Sequence, residues 1–325
     1  MPHGVVWLWL CWFNKSSICA YWSQLGVMII HFKKLFSGKN ILILLPYLWL
    51  TLLVAVPLLI VLKISLSEMS ATSVADMVSW SQGWPTIKIN FASYLFLATD
   101  PLYIDTYLSS IKYALLTTLI CLVVGFPFAY FMARAPKHLQ PMLLMLIMLP
   151  FWTSFLLRIY AWKTLLVSNG IINNVLLSFG LINQPLAMMN NSFSLILGMV
   201  YSYLPFMILP LYANLSKLDV RFLEAAADLG ASAFKTFWLV TVPLSKAGII
   251  AGSMLVFIPA VGEYVIPELL GGSDTLMIGR VLWDEFFANN DWPMASAVAV
   301  VMMLLILLPM SLLNSYQSRQ VEFEP

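Results

Sequence analysis

A group of carboxylates and aromatic rings lies close together near the end of a chain that is otherwise poor in charge. A carboxylate offsets the charge of an ammonium group, and an aromatic face adds on the order of 0.5–2 kcal/mol through a cation–π contact. These residue types therefore suit the binding or passage of an organic cation. The group consists of Glu263, Tyr264, Glu268, Trp283, Asp284 and Glu285.

Glu263 is the most informative member of this group, because it lies inside a long apolar run. Counted from Lys246, it lies ~25 Å along a helix that rises ~1.5 Å per residue. Pro259 and Pro267 flank it and Gly262 precedes it, so we expect the helix to be loosened there. Broken helices at depth often line the cavities of transporters. The alternative is a carboxylate at the water interface that only ends the helix.

Arg158 is a second charge within an apolar run. With Trp152 six residues before it, Arg158 could organise an outer gate, or it could pair with an acidic group of another subunit. A third interpretation is that its long stem only reaches the headgroup region. That simpler interpretation applies to three lysines near the outer ends of their apolar runs, namely Lys63, Lys112 and Lys163.

The composition as a whole is that of an integral membrane protein. Of the 325 residues, 61% are hydrophobic and 10% are charged, against about 45–50% and about 25% in soluble domains. The net charge of +2 and the lack of long basic blocks argue against a nucleic-acid partner. The cysteines and histidines show no metal-ligand spacing, so the sequence gives little support to a membrane-embedded enzyme.

Six apolar stretches are long enough to cross a membrane, which takes ~20 residues for a hydrocarbon core of ~30 Å. Each is bounded by charges, by proline and glycine clusters or by polar loops. They predict an all-α membrane domain with about six transmembrane helices, at 41–66, 107–132, 141–166, 192–214, 246–269 and 294–316.

Lysine and arginine lie mainly on one side of these spans, and such loops stay in the cytoplasm. The residues on this side are Lys33, Lys34, Lys39, Arg134, Lys137, Lys217, Arg221, Lys235 and Arg319. The opposite connections are rich in aspartate and glutamate. We therefore predict an acidic outer face and two cytoplasmic termini, with 317–325 as a cytoplasmic tail.

Residues 1–40 do not fit the pattern of six helices. Their apolar run VVWLWLCWF has nine residues, too few to span a bilayer. We interpret 1–40 as a cytoplasmic or interface-lying extension, and an upstream extension of the reading frame without a function is the second interpretation. A seventh helix across 5–30 is the third, and Asn14 and Lys15 in its middle weaken it.

The loop at 215–245, between the fourth and fifth spans, breaks the apolar pattern with charges, alanines and a glycine. Asp219 is a good N-cap, VRFLEAAADL contains strong helix formers, and Gly230 suits the left-handed end of a helix. Ser232 can then cap a second helix that runs to Pro243. The pattern predicts a short helix, a sharp turn and a second helix. On its own, such a pair could be a connector that lies on the membrane.

The spacing within this loop is similar to a known signature. Glu224-Ala225-Ala226 is followed after three residues by Gly230, and after nine more by VTVP, which ends at Pro243. This resembles the E-A-A-x3-G-x9-I-x-L-P signature of the membrane subunits of bacterial ABC importers, with valine in place of isoleucine and leucine. The resemblance implies a coupling helix that docks in a cleft of a cytoplasmic ATPase. The residues implied in this contact are Glu224, Ala225, Ala226, Asp228, Gly230 and Pro243.

The resemblance extends over most of 41–316, as an ABC importer transmembrane domain of the type I permease fold. Runs such as LPFWTSFLLRIYAW, YLPFMILPLY and NDWPMASAVAV look like those of the polyamine permeases of the spermidine/putrescine branch. Within that branch, GEY and PEL at 262–269 are most similar to the putrescine permease. Polyamines, and putrescine in particular, are the substrates that the resemblance implies.

The same resemblance implies a set of partners in a bacterial inner membrane. These are a second homologous permease, a pair of ATPase subunits and a periplasmic polyamine-binding protein, with membrane lipid around the two permeases. The sequence contains no G-x-x-x-x-G-K-[ST] phosphate loop. We therefore expect ATP and Mg²⁺ to be bound by the ATPase partner, and no cofactor in this chain.

An ion-coupled secondary carrier for a small cationic solute is the alternative class. Such carriers typically show internal repeats with interrupted helices in corresponding halves. The sequence indicates one interrupted helix, around Glu263, and the signature at 224–243 would have no explanation in a carrier of that class.

Overall fold

The computed structural model describes residues 38–69, 74, 78–81 and 84–321. The interpretation of residues 1–37 and of the last residues of the tail, 322–325, lies outside the described residues. The chain divides into two compact units, Met1–Leu62 and Lys63–Pro325. Nearly every described segment is helical, which confirms the predicted all-α membrane fold.

The first unit contains most of one apolar helix with a widened turn. Helix α1 (Gly38–Leu50) passes into a π-helical turn at Thr51–Ala55 and then into helix α2 (Val56–Ser65). Pro57 lacks an N–H group, and its ring would collide with the carbonyl group four residues earlier in a regular helix. The π turn accommodates the ring, so the apolar run stays continuous from 42 to 65.

A small hairpin and a short helix follow this first span. Strand β1 (Val78–Ser81) pairs antiparallel with strand β2 (Trp84–Ile87), and helix α3 (Ala92–Thr99) comes next. The hairpin was not predicted from the sequence. It lies in a connection between two spans, so it leaves the helical membrane architecture unchanged.

The second span is helix α4 (Pro101–Arg134), which begins earlier than the predicted run at 107–132. Asp100 explains the early start, because its carboxylate accepts a hydrogen bond from Leu102 N at 2.8 Å. Proline is also well suited to the first position of a helix. With 34 residues, the helix is about 51 Å long. It therefore extends beyond a hydrocarbon core of ~30 Å.

The third span is broken near its middle. Its parts are α5 (Gln140–Met148), a 3-10 turn at Leu149–Trp152, α6 (Phe155–Leu166) and α7 (Ile171–Ser178). Thr153 and Ser154 are extended, with ψ of 151° and 135°. The chain bends there by 84°, whereas the sequence predicted a continuous run at 141–166.

The fourth span, helix α8 (Ser192–Leu215), is the centre of the second unit. Its start is a capping box, in which Asn191 Oδ1 accepts from Ser194 N at 3.0 Å and Ser194 Oγ accepts from Asn191 N at 3.3 Å. Its buried apolar residues pack against α4 and the fifth span. They include Leu195, Met199, Met207, Ile208, Leu211 and Leu215.

Several short helices lead into the fifth span. They are α9 (Arg221–Asp228), α10 (Ala233–Thr236), a π turn at Phe237–Thr241 and α11 (Val242–Leu244). The fifth span itself begins with α12 (Lys246–Val261). The π turn again precedes a proline, Pro243, as it does at Pro57. The chain bends by 68° where α12 begins. Helix α12 ends at Val261, which confirms the predicted interruption around Glu263.

The last elements complete the bundle. They are α13 (Val265–Leu270), a 3-10 turn at Ser273–Thr275, α14 (Ile278–Trp283), a π turn at Asp284–Ala288 and α15 (Trp292–Val321). The apolar part of α15 is Trp292–Leu307. The described chain thus has three long apolar helices, two bent pairs and this shorter helix, which correspond to the six predicted spans.

The direction of the central helices defines two ends of the second unit. Tyr212, near the end of α8, donates a hydrogen bond to Gln140 Oε1 at 3.0 Å. Gln140 begins α5 and follows the end of α4 closely in the chain. A Cβ atom at Gly248, near the start of α12, would touch the last turn of α8. We call this end, with the loop at 215–245, the basic end. The opposite end, with residues 263–291, is the acidic end.

Glycines let the central helices pack closely around Met207, which is fully buried. A Cβ atom at Gly125 of α4 would lie 3.1 Å from Met207 Cγ. At Gly252 of α12 it would lie 2.8 Å from Met207 Sδ and 3.1 Å from the Met207 carbonyl oxygen. Small residues at helix interfaces are typical of membrane bundles, because they let the backbones approach.

Gly252→Val should therefore destabilise the purified protein by about 1–3 kcal/mol, since the added methyl groups force α12 away from α8. The measurement is the thermal unfolding midpoint in detergent. Ala251→Val is the matched control, because Ala251 is the neighbouring exposed position of the same helix. Equal midpoints for the two variants would contradict the close packing at Gly252.

Candidate functional site

Glu263 lies in the break between α12 and α13 and is only 9% exposed. Its Oε1 accepts hydrogen bonds from Val265 N at 3.0 Å and from Ile266 N at 3.4 Å. Its Oε2 accepts a hydrogen bond from the Tyr203 hydroxyl. The first N–H groups of a helix have no partner within it. The Glu263 carboxylate satisfies two of them, and it therefore fixes the start of α13.

These bonds limit what else Glu263 can bind directly. A carboxylate has about four acceptor positions, and three of them are occupied by groups of the chain. An incoming cation would have to use the remaining position or displace the Tyr203 hydroxyl. The predicted role of Glu263 in a substrate pathway thus involves Tyr203, which was not predicted from the sequence.

Gly279 brings a further helix onto this break. A Cβ atom at this position would lie 2.5 Å from the carbonyl oxygen of Gly262 and 2.6 Å from that of Glu263. Only glycine leaves room for so close an approach of backbone to backbone. Helix α14 is thereby held against the break, and Trp283 at its end comes close to Tyr264.

The aromatic residues of the acidic end form a stack. The rings of Tyr264 and Trp283 are nearly parallel, with centroids 4.3 Å apart and an interplanar angle of 12°. Phe287 lies 4.1 Å from Trp283, at 37°. Trp283 is thus packed between two rings and is 40% exposed. The structure therefore brings Glu263, Tyr264 and Trp283 together, as the sequence prediction of a shared site requires.

The remaining carboxylates of the group already have partners. Glu268 Oε2 lies 2.7 Å from Arg280 Nε, and Asp284 Oδ2 lies 4.0 Å from the same nitrogen. Glu285 accepts a hydrogen bond from the Tyr103 hydroxyl at 2.7 Å. Glu268 and Asp284 keep about half of their side chains exposed, so they can still attract a cation from solvent.

Arg158 lines a cavity of about 550 Å³ between α6, α8 and α12. Its guanidinium lies over the rings of Phe151 and Phe155, at 5.1 and 5.7 Å from their centroids. Tyr203 lines the same cavity, so a single side chain joins it to Glu263. Trp152 is not among the lining residues and is 74% exposed. Arg158 contacts the ring of Phe151, the residue before Trp152.

The loop at the basic end has the predicted helix–turn–helix form. Asp219 Oδ1 accepts a hydrogen bond from Arg221 N at 3.0 Å. At the other end of α9, Gly230 has a φ of +78°, and Gly230 N and Ala231 N bond back to carbonyl oxygens of α9 at 2.8 and 3.0 Å. This is a Schellman ending, which favours glycine. Ser232 caps the next helix at Lys235 N.

Most of the predicted coupling residues face solvent. Glu224, Ala225, Asp228 and Gly230 are exposed, and Ala226 is half-buried. Large apolar side chains are exposed beside them, and these were not predicted from the sequence. They are Phe222 at 56%, Leu229 at 89%, Phe234 at 74% and Leu239 at 73%.

The apolar spans and the broken helices define a multi-pass membrane protein. Residues 121–322 match the family described as binding-protein-dependent transport system inner membrane component. The chain belongs to this family. It is therefore an ABC importer permease, which is a transport subunit and not an enzyme.

Three related permeases align with between 64% and 85% of the chain. The spermidine/putrescine transport system permease protein PotB of Haemophilus influenzae is 38% identical over 279 residues, covering 85% of this chain and 94% of the relative. The protein of the same name from Escherichia coli is 39% identical over 279 residues, covering 85% and 98%. The inner membrane ABC transporter permease protein YdcU of Escherichia coli is 34% identical over 223 residues, covering 64% and 70%.

Two solved structures share the fold. One is a bacterial ABC transporter involved in the import of the acidic polysaccharide alginate, with a TM-score of 0.58 and 18% identity, covering 86% of this chain and 95% of that one. The other is the alginate transporter in complex with a periplasmic protein bound to an alginate pentasaccharide, with a TM-score of 0.58, 16% identity and coverage of 89% and 96%. These likenesses confirm the permease fold.

Tyr203→Phe should lower the thermal unfolding midpoint, because it leaves Glu263 Oε2 buried without its donor. The loss of such a partner costs about 1–3 kcal/mol. Tyr201→Phe is the matched control, since Tyr201 lies on the same helix and its hydroxyl makes no hydrogen bond with the described residues. If the two variants unfolded at the same temperature, the bond to Glu263 would not hold the break.

Proposed function

We propose that this chain is the inner-membrane permease subunit of an ATP-driven polyamine importer, and that it forms the translocation pathway with a second, homologous permease. The relatives named for spermidine and putrescine support the substrate class, since they are 38–39% identical over 85% of the chain. The residues at 262–269 favour putrescine within that class. The paired ATPase subunits bind ATP and Mg²⁺, and a periplasmic binding protein delivers the polyamine.

The observation that carries the coupling role is the exposed apolar surface of the loop at the basic end. Leu229 is 89% exposed and Phe234 is 74% exposed, although both lie beside well-formed helix caps that fix their positions. Apolar surface of this kind marks an interaction site in a water-soluble region. The ATPase covers it, with Glu224 and Asp228 contacting basic groups at the rim of its cleft.

In this proposal both termini lie in the cytoplasm, so the acidic end faces outward. The acidic end therefore receives the substrate. Exposed carboxylates concentrate a polyamine at the outer face, and salt screens the attraction over ~8 Å at physiological ionic strength. Glu268, Asp284 and Glu285 contribute to that field. Tyr264 and Trp283 then contact the ammonium groups, beside Glu263 and Tyr203 at the break.

The coupling role predicts a difference between two glycines of the same conformation. Gly230→Val should reduce ATP-driven uptake about tenfold, the effect of ~1.4 kcal/mol of lost docking, because the turn that presents Leu229 cannot form. Gly180→Val is the matched control. Gly180 has a φ of +69°, against +78° at Gly230, and at neither glycine would a Cβ atom meet a described atom within 4 Å. If the two variants lost uptake to the same extent, backbone strain alone would explain the loss, and the coupling role would be contradicted.

The substrate class is tested by transport into proteoliposomes that contain the complete complex and its binding protein. Putrescine and spermidine should be taken up with ATP hydrolysis, whereas the monoamine butylamine, which carries one ammonium group, should not compete. Uptake driven by an ion gradient without ATP would favour the secondary carrier. Uptake of neither polyamine would refute the proposed substrate class.

A further inference from the structure

Arg158 and Ser202 carry polar groups that lack partners within the described chain. Arg158 Nε and Nη1 are buried without a hydrogen bond, and so is Ser202 Oγ. Ser202 is 4% exposed. Both residues line the cavity between α6, α8 and α12. Buried polar groups in native proteins nearly always have partners, so these three atoms indicate a missing acceptor.

The other residues around this cavity are mostly apolar, and the hydroxyl of Tyr203 is bonded to Glu263. The rings of Phe151 and Phe155 make cation–π contacts with the Arg158 guanidinium. These contacts do not supply a hydrogen-bond acceptor for its N–H groups. Phe206, Leu255 and Ile258 add apolar surface. In such surroundings an unpaired guanidinium is costly, and a carboxylate is the acceptor that also offsets its charge.

The depth of the cavity argues for a side chain and against a lipid headgroup. Ser202 lies ten residues after Ser192, at which α8 begins. It is therefore ~15 Å along the helix, about half of a hydrocarbon core of ~30 Å. A phosphate at the membrane surface does not reach that level, whereas a carboxylate on a neighbouring transmembrane helix does.

A second copy of this chain does not offer such a carboxylate among its described residues. Glu263, in the break between α12 and α13, already accepts hydrogen bonds with both of its oxygens. The other described carboxylates lie in connections or within a few residues of a helix end. The substrate is excluded as well if it is a polyamine, because a polyamine is a cation. This step rests on the proposed function.

We propose that Arg158 and Ser202 form a socket for an aspartate or glutamate carried by a transmembrane helix of the second permease. The carboxylate enters past Leu255 and Phe206, which are 51% and 36% exposed at the rim. It accepts a hydrogen bond from the guanidinium and one from the Ser202 hydroxyl. The ion pair fixes the register of the two permeases at mid-depth.

Assembly of the complex tests this socket directly. With an affinity tag on this chain and all subunits co-expressed, Arg158→Met should retain at least tenfold less of the second permease than wild type, because it leaves the partner carboxylate unpaired. Arg158→Lys should retain an intermediate amount, since lysine keeps the charge but not the planar guanidinium. Lys163→Met, on the same helix but away from the cavity, should assemble like wild type. Equal recovery for Arg158→Met and Lys163→Met would overturn the socket.

A second measurement leaves Arg158 and Ser202 in place, so its result does not depend on the folding of an Arg158 variant. Benzoylphenylalanine at Leu255, in a chain that keeps Arg158, should form a photo-crosslink to a helix of the second permease that contains an aspartate or glutamate. Crosslinks only to lipid, only to another copy of this chain, or to nothing would each overturn the proposal.

Charge exchange identifies the carboxylate within the crosslinked helix. Arg158→Glu combined with arginine at that acidic position should restore co-purification to at least half of the wild-type amount, and failure of every such exchange would overturn the ion pair. These measurements need neither substrate nor ATP. A wild-type complex that assembles through the socket but transports no polyamine would therefore refute the proposed substrate and leave the socket intact.

Discussion

The hydrogen bond from Tyr203 to Glu263 connects the core of the second unit to its acidic end. Tyr203 lies on α8, the most buried of the three long apolar helices, and Glu263 lies where the fifth span breaks. Because the same carboxylate accepts from the first N–H groups of α13, the bond fixes where the chain turns after α12. The position of α14 then follows from the contact of Gly279 with the break, and that position sets the stacking of Trp283 on Tyr264.

A broken helix inside a membrane needs such a group, because no water is available for the freed backbone atoms. Glu263 replaces water as the acceptor for α13, and its burial would be costly without these donors. The charge at depth thus has a structural reason that is independent of any substrate. The same break lies beside aromatic faces and carboxylates, so the fold places the side chains of the proposed cation site where the fifth span is interrupted.

The spans, the loop at 215–245 and the break at Glu263 could all be predicted from the sequence, because each has a local cause. Apolar length defines a span, glycine with a positive φ ends α9, and prolines with a glycine loosen α12. The 84° bend at Thr153 and Ser154 was missed, although Pro150 lies three residues before Thr153. The partners of Glu263 and Glu285 were missed too, because Tyr203 and Tyr103 lie 60 and 182 residues away in the chain.

If the chain carries a cation as proposed, the charges at the acidic end and in the cavity constrain how that cation passes. At the acidic end, Arg280 neutralises part of the field of Glu268 and Asp284. The proposed attraction for a polyamine would therefore be weak, and a weakly held substrate is released readily. Deeper, the Arg158 guanidinium lines a cavity that shares Tyr203 with the break. Left unpaired in low dielectric, this positive charge would repel an ammonium group that had reached Tyr264, because Coulomb interactions strengthen as the dielectric falls. A carboxylate from the second permease would neutralise Arg158 and remove this repulsion. The proposed ion pair between the two permeases would then also allow a cation to pass along their shared pathway.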